Sequence, residues 1–158
     1  MNDISLVEAL RGTEFLRGIS DEHLAQIATV SKLEAFPAGH TIFREGALAA
    51  DTFVIADGTV SLEICGPGTG CRRILTVSPG ELLGWSPLLQ QARLTATARA
   101  MTPATAIRIA AGPAINLCES DPRLGYELMR RTALALSKRL SAARLQLLDV
   151  FGPEVTRP

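Results

Sequence analysis

The sequence predicts a mainly β protein, a double-stranded β-helix (jelly roll) with N-terminal helices before it and a long C-terminal helix after it. Between about residues 31 and 110, eight or so short segments alternate apolar and polar residues, and glycine-rich turns separate them. Outside that region the apolar residues recur with the helical period. The 158 residues, 47% of them hydrophobic, suffice for one domain over residues 1–158.

Two short helices are predicted before the roll. The first covers residues 4–10. The second begins at Ser20, because a serine hydroxyl can accept the backbone N–H groups that the start of a helix leaves unpaired. Asp21 and Glu22 then complement the helix dipole. Apolar residues follow at helical spacing: Leu24, Ile27, Ala28 and Val30.

The strands of the roll are predicted from alternation and from the turn residues between them. They cover residues 33–36, 40–44, 52–55, 60–65, 71–77, 95–100 and 104–110. The segment 79–94 lies between the strands 71–77 and 95–100. Asp57 and Gly58 form a dipeptide that is typical of a hairpin turn. The short spacing of the segments favours antiparallel pairing.

A short helix through Cys118 and a long helix of about residues 121–150 are predicted after the roll. Pro122 suits the first turn of the long helix, and Gly152 with Pro153 would end it. One stripe of this helix steps alternately by four and three residues: Met129, Ala133, Leu136, Leu140, Ala143, Leu147 and Val150. This heptad pattern predicts a homodimer through the C-terminal helix. The alternative is a single wide stripe that serves only the domain's own core.

A second stripe on the long helix is predicted to pack on the roll. It consists of Leu124, Leu128, Ala135, Ala142 and Leu145. The helix is also locally basic, which indicates either a docking face for a partner protein or an exposed solvated face.

Composition excludes several classes of function. The 16 basic and 16 acidic residues balance, so no general attraction to DNA or to an anionic membrane is expected. No apolar run is long enough to span a bilayer, and the N-terminus lacks the pattern of a secretory signal. Three cysteines agree with a reducing compartment, and we therefore expect a cytoplasmic protein. No catalytic motif is present, so an enzyme is not expected.

The segment of residues 79–100 is the strongest candidate for a binding site. Gly80 and Gly84 permit tight turns and close approach of a ligand, and residues 85–89 read as one helical turn. Backbone amides at such a turn favour a phosphate or another anion. The alternative is an ordinary connection between two strands.

The order of these elements resembles the cyclic-nucleotide-binding domain, and in particular the sensor half of bacterial regulators of the catabolite-activator and fumarate–nitrate-reductase class. The resemblance rests on Arg44-Glu45-Gly46, on residues 53–60 and on Pro79-Gly80-Glu81, and it extends over roughly residues 15–151. It implies a dimer through the long helix. The winged DNA-binding domain of those regulators would not fit in residues 152–158, so we expect no direct DNA binding unless the chain is a fragment.

The resemblance also implies a phosphate-binding cassette at residues 80–100, and this sequence departs from it at two positions. Trp85 stands where the family has the glutamate that holds the ribose, and Leu94 stands where it has the phosphate-binding arginine. The cassette is therefore degenerate, and binding of cyclic AMP or cyclic GMP is doubtful. The predicted ligand-binding residues are Gly80, Glu81, Gly84, Trp85, Ser86, Arg93, Leu94, Thr95 and Arg144.

Substitutes for the missing polar groups are available nearby. Thr95 offers a hydroxyl, and Arg144 offers a positive charge from the long helix. Trp85 either offers a flat aromatic face to a ligand or fills the empty pocket as a core side chain. Two functions follow as alternatives. The first is a regulatory sensor for a cyclic nucleotide or another small anionic ligand, and the second is a ligand-free dimerisation or targeting module.

The cysteines and histidines give weaker signals. Cys65 and Cys71 flank a five-residue hairpin loop, so they form a disulfide, share a metal, or are simply two small strand residues. Cys118 is predicted to be buried packing. His23 and His40 match no metal spacing, which leaves a haem ligand as a remote alternative. No metal site is predicted.

Overall fold

The computed structural model describes residues 3–151. Helices α1 (Asp3–Arg11) and α2 (Asp21–Ala28) precede the strands, and helices α3 (Ala111–Ser120) and α4 (Pro122–Phe151) follow them. The strands are β1 (Ser31–Phe36), β2 (Thr41–Phe43), β3 (Asp51–Asp57), β4 (Val60–Gly66), β5 (Gly70–Val77), β6 (Leu82–Leu83), β7 (Thr97–Ala100) and β8 (Ala104–Ala110). This arrangement confirms the predicted mainly β class with flanking helices.

The strands form two antiparallel sheets of four strands each. One sheet has the order β1-β8-β3-β6 and the other has the order β2-β7-β4-β5. Consecutive strands β3 and β4 lie in different sheets, so the chain alternates between the sheets and confirms the jelly roll. The prediction missed β6, because two residues are too few to show an alternating pattern.

Strand β3 connects the two apolar clusters of the domain. Phe53 and Ile55 face the cluster inside the roll, whereas Val54 faces the cluster between the roll and the helices. Successive side chains of a strand point to opposite faces, and here both faces are covered. Arg108 on β8 ties its neighbours together, since it lies 2.8 Å from the Glu34 carboxylate on β1 and 2.9 Å from the Asp51 carboxylate on β3.

Local signals at the helix ends act largely as predicted. The Ser20 hydroxyl accepts the His23 N–H at 3.3 Å and caps α2. At the start of α4, the Asp121 carboxylate accepts the N–H groups of Arg123 at 3.2 Å and Leu124 at 3.4 Å. The end of α4 predicted from Gly152 and Pro153 lies outside the described residues.

Helix α4 is buried at its start and exposed at its end. Leu124, Leu128 and Thr132 are buried against α3 and the roll. Further along, large apolar side chains are more than half exposed: Leu134, Leu140, Leu145, Leu147, Leu148 and Val150. Leu145 therefore does not pack on the roll as predicted, although the neighbouring Gln146 amide still donates to the Ile74 carbonyl of β5 at 2.9 Å. Within residues 3–151, no helix has both the length and the apolar character needed to cross a bilayer.

Candidate ligand-binding site

A cavity of about 410 Å³ lies where the middle of α4 passes the turn before β6 and the segment after α1. Strand β5 contributes Leu75 and Thr76, the turn contributes Gly80 and Glu81, and β6 contributes Leu82. The remaining lining residues come from the segment after α1 and from α4: Glu14, Phe15, Arg17, Arg130, Arg131, Leu134, Ala135, Lys138, Arg139 and Ala142. The cavity thus combines an apolar floor with many charged groups.

Gly80 fixes the wall of the cavity opposite α4. The Phe15 N–H donates to the Gly80 carbonyl at 2.9 Å, and the Gly80 N–H donates to the Ile55 carbonyl at 2.6 Å. Gly80 has φ +90°, and a Cβ there would lie 3.0 Å from the Glu14 backbone nitrogen. A side chain is therefore excluded by both the backbone conformation and the close passage of the N-terminal segment.

Arg139 is the unusual side chain of this cavity. Both terminal guanidinium nitrogens are buried, and neither has a hydrogen-bond partner among the described residues. Burial lowers the pKa of Arg139, and the negative charge of Glu81 opposes that shift. An arginine nevertheless stays protonated in a protein. A buried cation whose donors are unused is costly, and an anion in the cavity would offset that cost.

Two of the other cations of the cavity, Lys138 and Arg131, form ion pairs. The Lys138 ammonium lies 2.9 Å from the Glu14 carboxylate. Arg131 pairs with the Glu127 carboxylate on the same helix, and it also donates to the Arg17 carbonyl at 2.6 Å. Among the described lining residues, five are cationic and two are acidic, so the local field favours an anion.

Two of the predicted residues, Gly80 and Glu81, line this cavity, whereas Gly84 lies elsewhere. Gly84 has φ +72°, and a Cβ there would lie 3.1 Å from the ring of Phe43. Phe43 in turn stacks on Phe53 with 6.0 Å between ring centroids. The glycine at position 84 thus makes room for an aromatic side chain of the roll.

Trp85 and Ser86 begin the short 3₁₀ helix Ser86–Leu89, close to the predicted helical turn. Trp85 is partly buried and packs against the apolar cluster between the roll and the helices. Ser86 is buried. This packing favours a role for Trp85 as a core side chain over a role as an exposed face that stacks on a ligand. The ligand-binding role of both residues stays a prediction.

Residues 93–95, which include the position where the resemblance implies an arginine, do not line the cavity. Leu94 is 7% exposed, and its backbone pairs with Gly46 and Ala47. Arg93 is exposed and donates to the Gly46 carbonyl at 2.7 Å. Thr95 is exposed. A buried leucine therefore stands at the place where the resemblance implies an arginine.

On α4, the cavity contains Arg139 rather than the predicted Arg144. Arg144 is exposed and lies five residues further along the helix, beyond the lining residues. A signal for Arg139 was present in the second stripe, where Ala135 and Ala142 are seven residues apart. Arg139 lies four residues after Ala135 and three before Ala142, so it lies on the same face of the helix as this stripe.

The two hairpin cysteines lie directly opposite each other on β4 and β5, and they form a disulfide. Of the alternatives that the sequence left open for Cys65 and Cys71, this structure has the disulfide, which differs from the reduced state expected from composition. Cys118 packs against the apolar cluster as predicted but is only half-buried, and burial, with the nearby charges of Asp121 and Glu119, raises the pKa of its thiol.

Neither histidine belongs to a group of metal ligands among the described residues. The His23 ring lies 3.2 Å from the Asp121 carboxylate, and the His40 ring lies beside Phe36 with 5.6 Å between ring centroids. One group of potential ligands does lie together in that part of the chain: Glu63, Cys65 and Cys71.

Comparison with known proteins places the chain among cyclic nucleotide-binding domains. Residues 33–121 match that family. The cyclic AMP receptor protein of Thermus thermophilus is 26% identical over 148 residues, which are 94% of this chain and 66% of the relative. The cGMP-dependent protein kinase isozyme 1 of Drosophila melanogaster is 31% identical over 99 residues, which are 61% of this chain and 13% of the kinase.

Solved structures agree with this assignment. A candidate cyclic nucleotide-binding protein from Geobacter metallireducens is 31% identical, with a TM-score of 0.75 over 84% of this chain and 96% of that one. A cyclic nucleotide-binding domain from Methylobacillus flagellatus has the same fold, with a TM-score of 0.80 at 18% identity over 98% of this chain and 86% of that one. The chain spans about two thirds or less of the curated relatives it matches. The chain belongs to the cyclic nucleotide-binding domain family.

Proposed function

We propose that this domain is a regulatory sensor that binds a small anionic ligand in the cavity between residues 80–82 and α4. The observation that carries the proposal is the Arg139 guanidinium, which is buried, charged and without a hydrogen-bond partner among the described residues. A phosphate or carboxylate would supply the charge-assisted hydrogen bonds that a guanidinium forms best. The apolar floor at Phe15, Leu75 and Leu82 would hold the rest of the ligand.

The ligand would signal through α4. This helix supplies Arg139 and most other cations of the cavity, so an anion attracts it toward the turn at Gly80. A ligand shifts a conformational equilibrium only by its difference in affinity for the two states. An anion that Arg139 contacts in one position of α4 and not in another meets that condition.

The exposed apolar end of α4 would transmit the change. Leu140, Leu147 and Val150 belong to the heptad stripe, and each is more than half exposed in the single chain. We infer a homodimer through this stripe, in the cytoplasm, whose altered helix positions a partner protein would recognise. The role is regulatory and not catalytic.

A ligand-free dimerisation or targeting module is the second candidate. It is favoured by the packed interior of the roll, where Phe53, Leu62 and Leu83 are buried in one apolar cluster. Leu94 and Trp85 fit this candidate as well, because neither offers a charge to a phosphate.

Isothermal titration with cyclic AMP and cyclic GMP, together with mass spectrometry of co-purified small molecules, tests the proposal. The matched variants are Arg139→Met and Arg144→Met, one inside the cavity and one on the exposed part of the same helix. We expect a bound anion, either in the titration or in the spectrum, that Arg139→Met loses and Arg144→Met keeps. If neither method finds an anion, the sensor is wrong and the ligand-free dimerisation module stands. If both variants retain a bound anion equally, the proposed site at Arg139 is wrong.

A further inference from the structure

The tip of the β4–β5 hairpin brings three possible metal ligands together. Cys65 pairs with Cys71 across the two strands, with their Cα atoms 3.9 Å apart. Glu63 lies two residues before Cys65 on β4, so its side chain points to the same face of the sheet. One potential ligand atom from each of the three residues lies within 4.8 Å of the others.

The Glu63 carboxylate is held in place by neighbouring donors. The Ser61 hydroxyl donates to one oxygen at 3.2 Å, and the Arg99 Nε donates to the other at 3.4 Å. The Glu63 side chain is only 14% exposed, whereas the two cysteines are exposed. Such outer contacts orient the ligands of a metal site and leave each carboxylate oxygen a further lone pair.

We propose that the reduced form of this hairpin binds a zinc ion through the thiolates of Cys65 and Cys71 and the carboxylate of Glu63. Zinc prefers thiolate sulfur and accepts carboxylate oxygen in a tetrahedral site. Water would take the fourth position, since the cysteines face solvent. Arg99 balances the negative charge of three anionic ligands around a divalent ion.

The disulfide and the zinc site exclude each other, because both use the same two sulfur atoms. A dithiol reductant would supply two electrons and two protons to the Cys65–Cys71 bond and would itself become a disulfide. Zinc would then displace the two thiol protons as the two sulfur–metal bonds form. The metal would thereby protect the reduced pair from oxidation, since the thiolates are no longer free to react.

Cobalt(II) is a suitable probe, because thiolate-bound tetrahedral cobalt absorbs visible and near-ultraviolet light. We expect the reduced protein to develop a sulfur-to-cobalt charge-transfer band at one equivalent, and added zinc to abolish it. The oxidised protein should show no band. Cys65→Ser and Cys71→Ser should remove the band, and Glu63→Gln should weaken metal binding by about tenfold or more.

Cys118→Ser is the matched control, since Cys118 is the remaining cysteine and lies on α3. The proposal is overturned if the reduced wild-type protein gives no band, if Cys65→Ser keeps it, or if Cys118→Ser removes it. Circular dichroism confirms that each variant is folded. Arg139→Met should leave the band unchanged, so this test and the test of the anion cavity fail independently.

Discussion

The Lys138 ammonium lies 2.9 Å from the Glu14 carboxylate, and this pair joins α4 to the segment after α1 at the edge of the cavity. The hydrogen bond between the two groups lowers the pKa of Glu14 and raises that of Lys138. Both side chains are more than half exposed, so the contact adds little to stability and is screened by salt. Its main consequence is electrostatic, because Glu14 cancels one of the cavity's positive charges.

Glu14→Gln should therefore raise the affinity of the cavity for an anion and leave the melting temperature nearly unchanged. Titration with the anion found for the wild-type protein measures the affinity, and calorimetry measures the melting. Glu119→Gln, an exposed change on α3, is the control and should change neither the affinity nor the melting temperature. An unchanged affinity in Glu14→Gln would place the anion away from this edge.

Arg139→Met should stabilise the ligand-free protein. The change removes a buried charge whose donors have no partner and keeps an unbranched apolar stem, so the free energy of unfolding should rise by about 1–3 kcal/mol. Urea denaturation of the ligand-free protein provides the measurement. Arg144→Met should change it little, because Arg144 is exposed. A loss of stability in Arg139→Met would show that the guanidinium is already satisfied.

Gly58→Ala should destabilise the roll more than Gly39→Ala. The two glycines have nearly the same backbone conformation, with φ +83° and +84°. A Cβ at position 58 would lie 2.4 Å from the Pro103 carbonyl, whereas nothing lies within 4 Å at position 39. We expect about 1–2 kcal/mol from the left-handed backbone in both variants and about 1–3 kcal/mol more from the clash at position 58. If urea denaturation shows that both variants lose the same free energy of unfolding, this account is wrong.

Leu136→Glu combined with Leu140→Glu should produce a monomer in analytical ultracentrifugation. Both residues belong to the heptad stripe, and the second is 54% exposed in the single chain. Charges at facing stripe positions repel each other and lose the apolar contact. Leu145→Glu is the control, since Leu145 is similarly exposed on the opposite side of the helix. A dimer that survives the double change would place the interface elsewhere.

Asp121→Asn should remove part of the acid sensitivity of the domain. Burial acts to raise the pKa of Asp121, but the Leu124 N–H and the His23 side chain outweigh it, and the pKa is lowered. The contribution to stability is thus present above the unfolded pKa and lost as the pH falls through the folded one. Between about pH 5 and pH 3, melting temperatures should fall more steeply for the wild-type protein than for the variant. Parallel curves would exclude this role.

The sequence predicted most of the roll, because its turn residues and its alternation are local signals. The predicted strand of residues 104–110 matches β8, and α4 differs from its prediction by one residue at each end. Strand β6 and the pairing of its Leu82 and Leu83 with β3 depend on tertiary contacts, so no local pattern indicated them.

The candidate site was predicted only in part. Gly80 and Glu81 were found because glycine-rich turns are visible in a sequence. Arg139 was missed, because a charged side chain on a basic helix is usually exposed to solvent. Its burial is visible only when the packing of α4 on the roll is known. Arg139 lies on the face of α4 that also carries Ala142 and Gln146 and that meets the roll, whereas Arg144 lies off that face.

Because α4 is buried only in its first part, a small tilt of the helix moves its far end by a larger distance. Its 30 residues extend about 45 Å, and the last buried residue, Thr132, lies roughly 28 Å from the end at Phe151. Once the hydrogen bond from the Gln146 amide to the Ile74 carbonyl of β5 is broken, a tilt of about 5° around Thr132 displaces the far end by roughly 2.5 Å, which is about half a helical turn. Arg139 lies only seven residues after Thr132, where the same tilt moves backbone atoms by less than roughly 1 Å. The geometry therefore amplifies a sub-ångström adjustment near Arg139 into a displacement that a neighbouring molecule can distinguish.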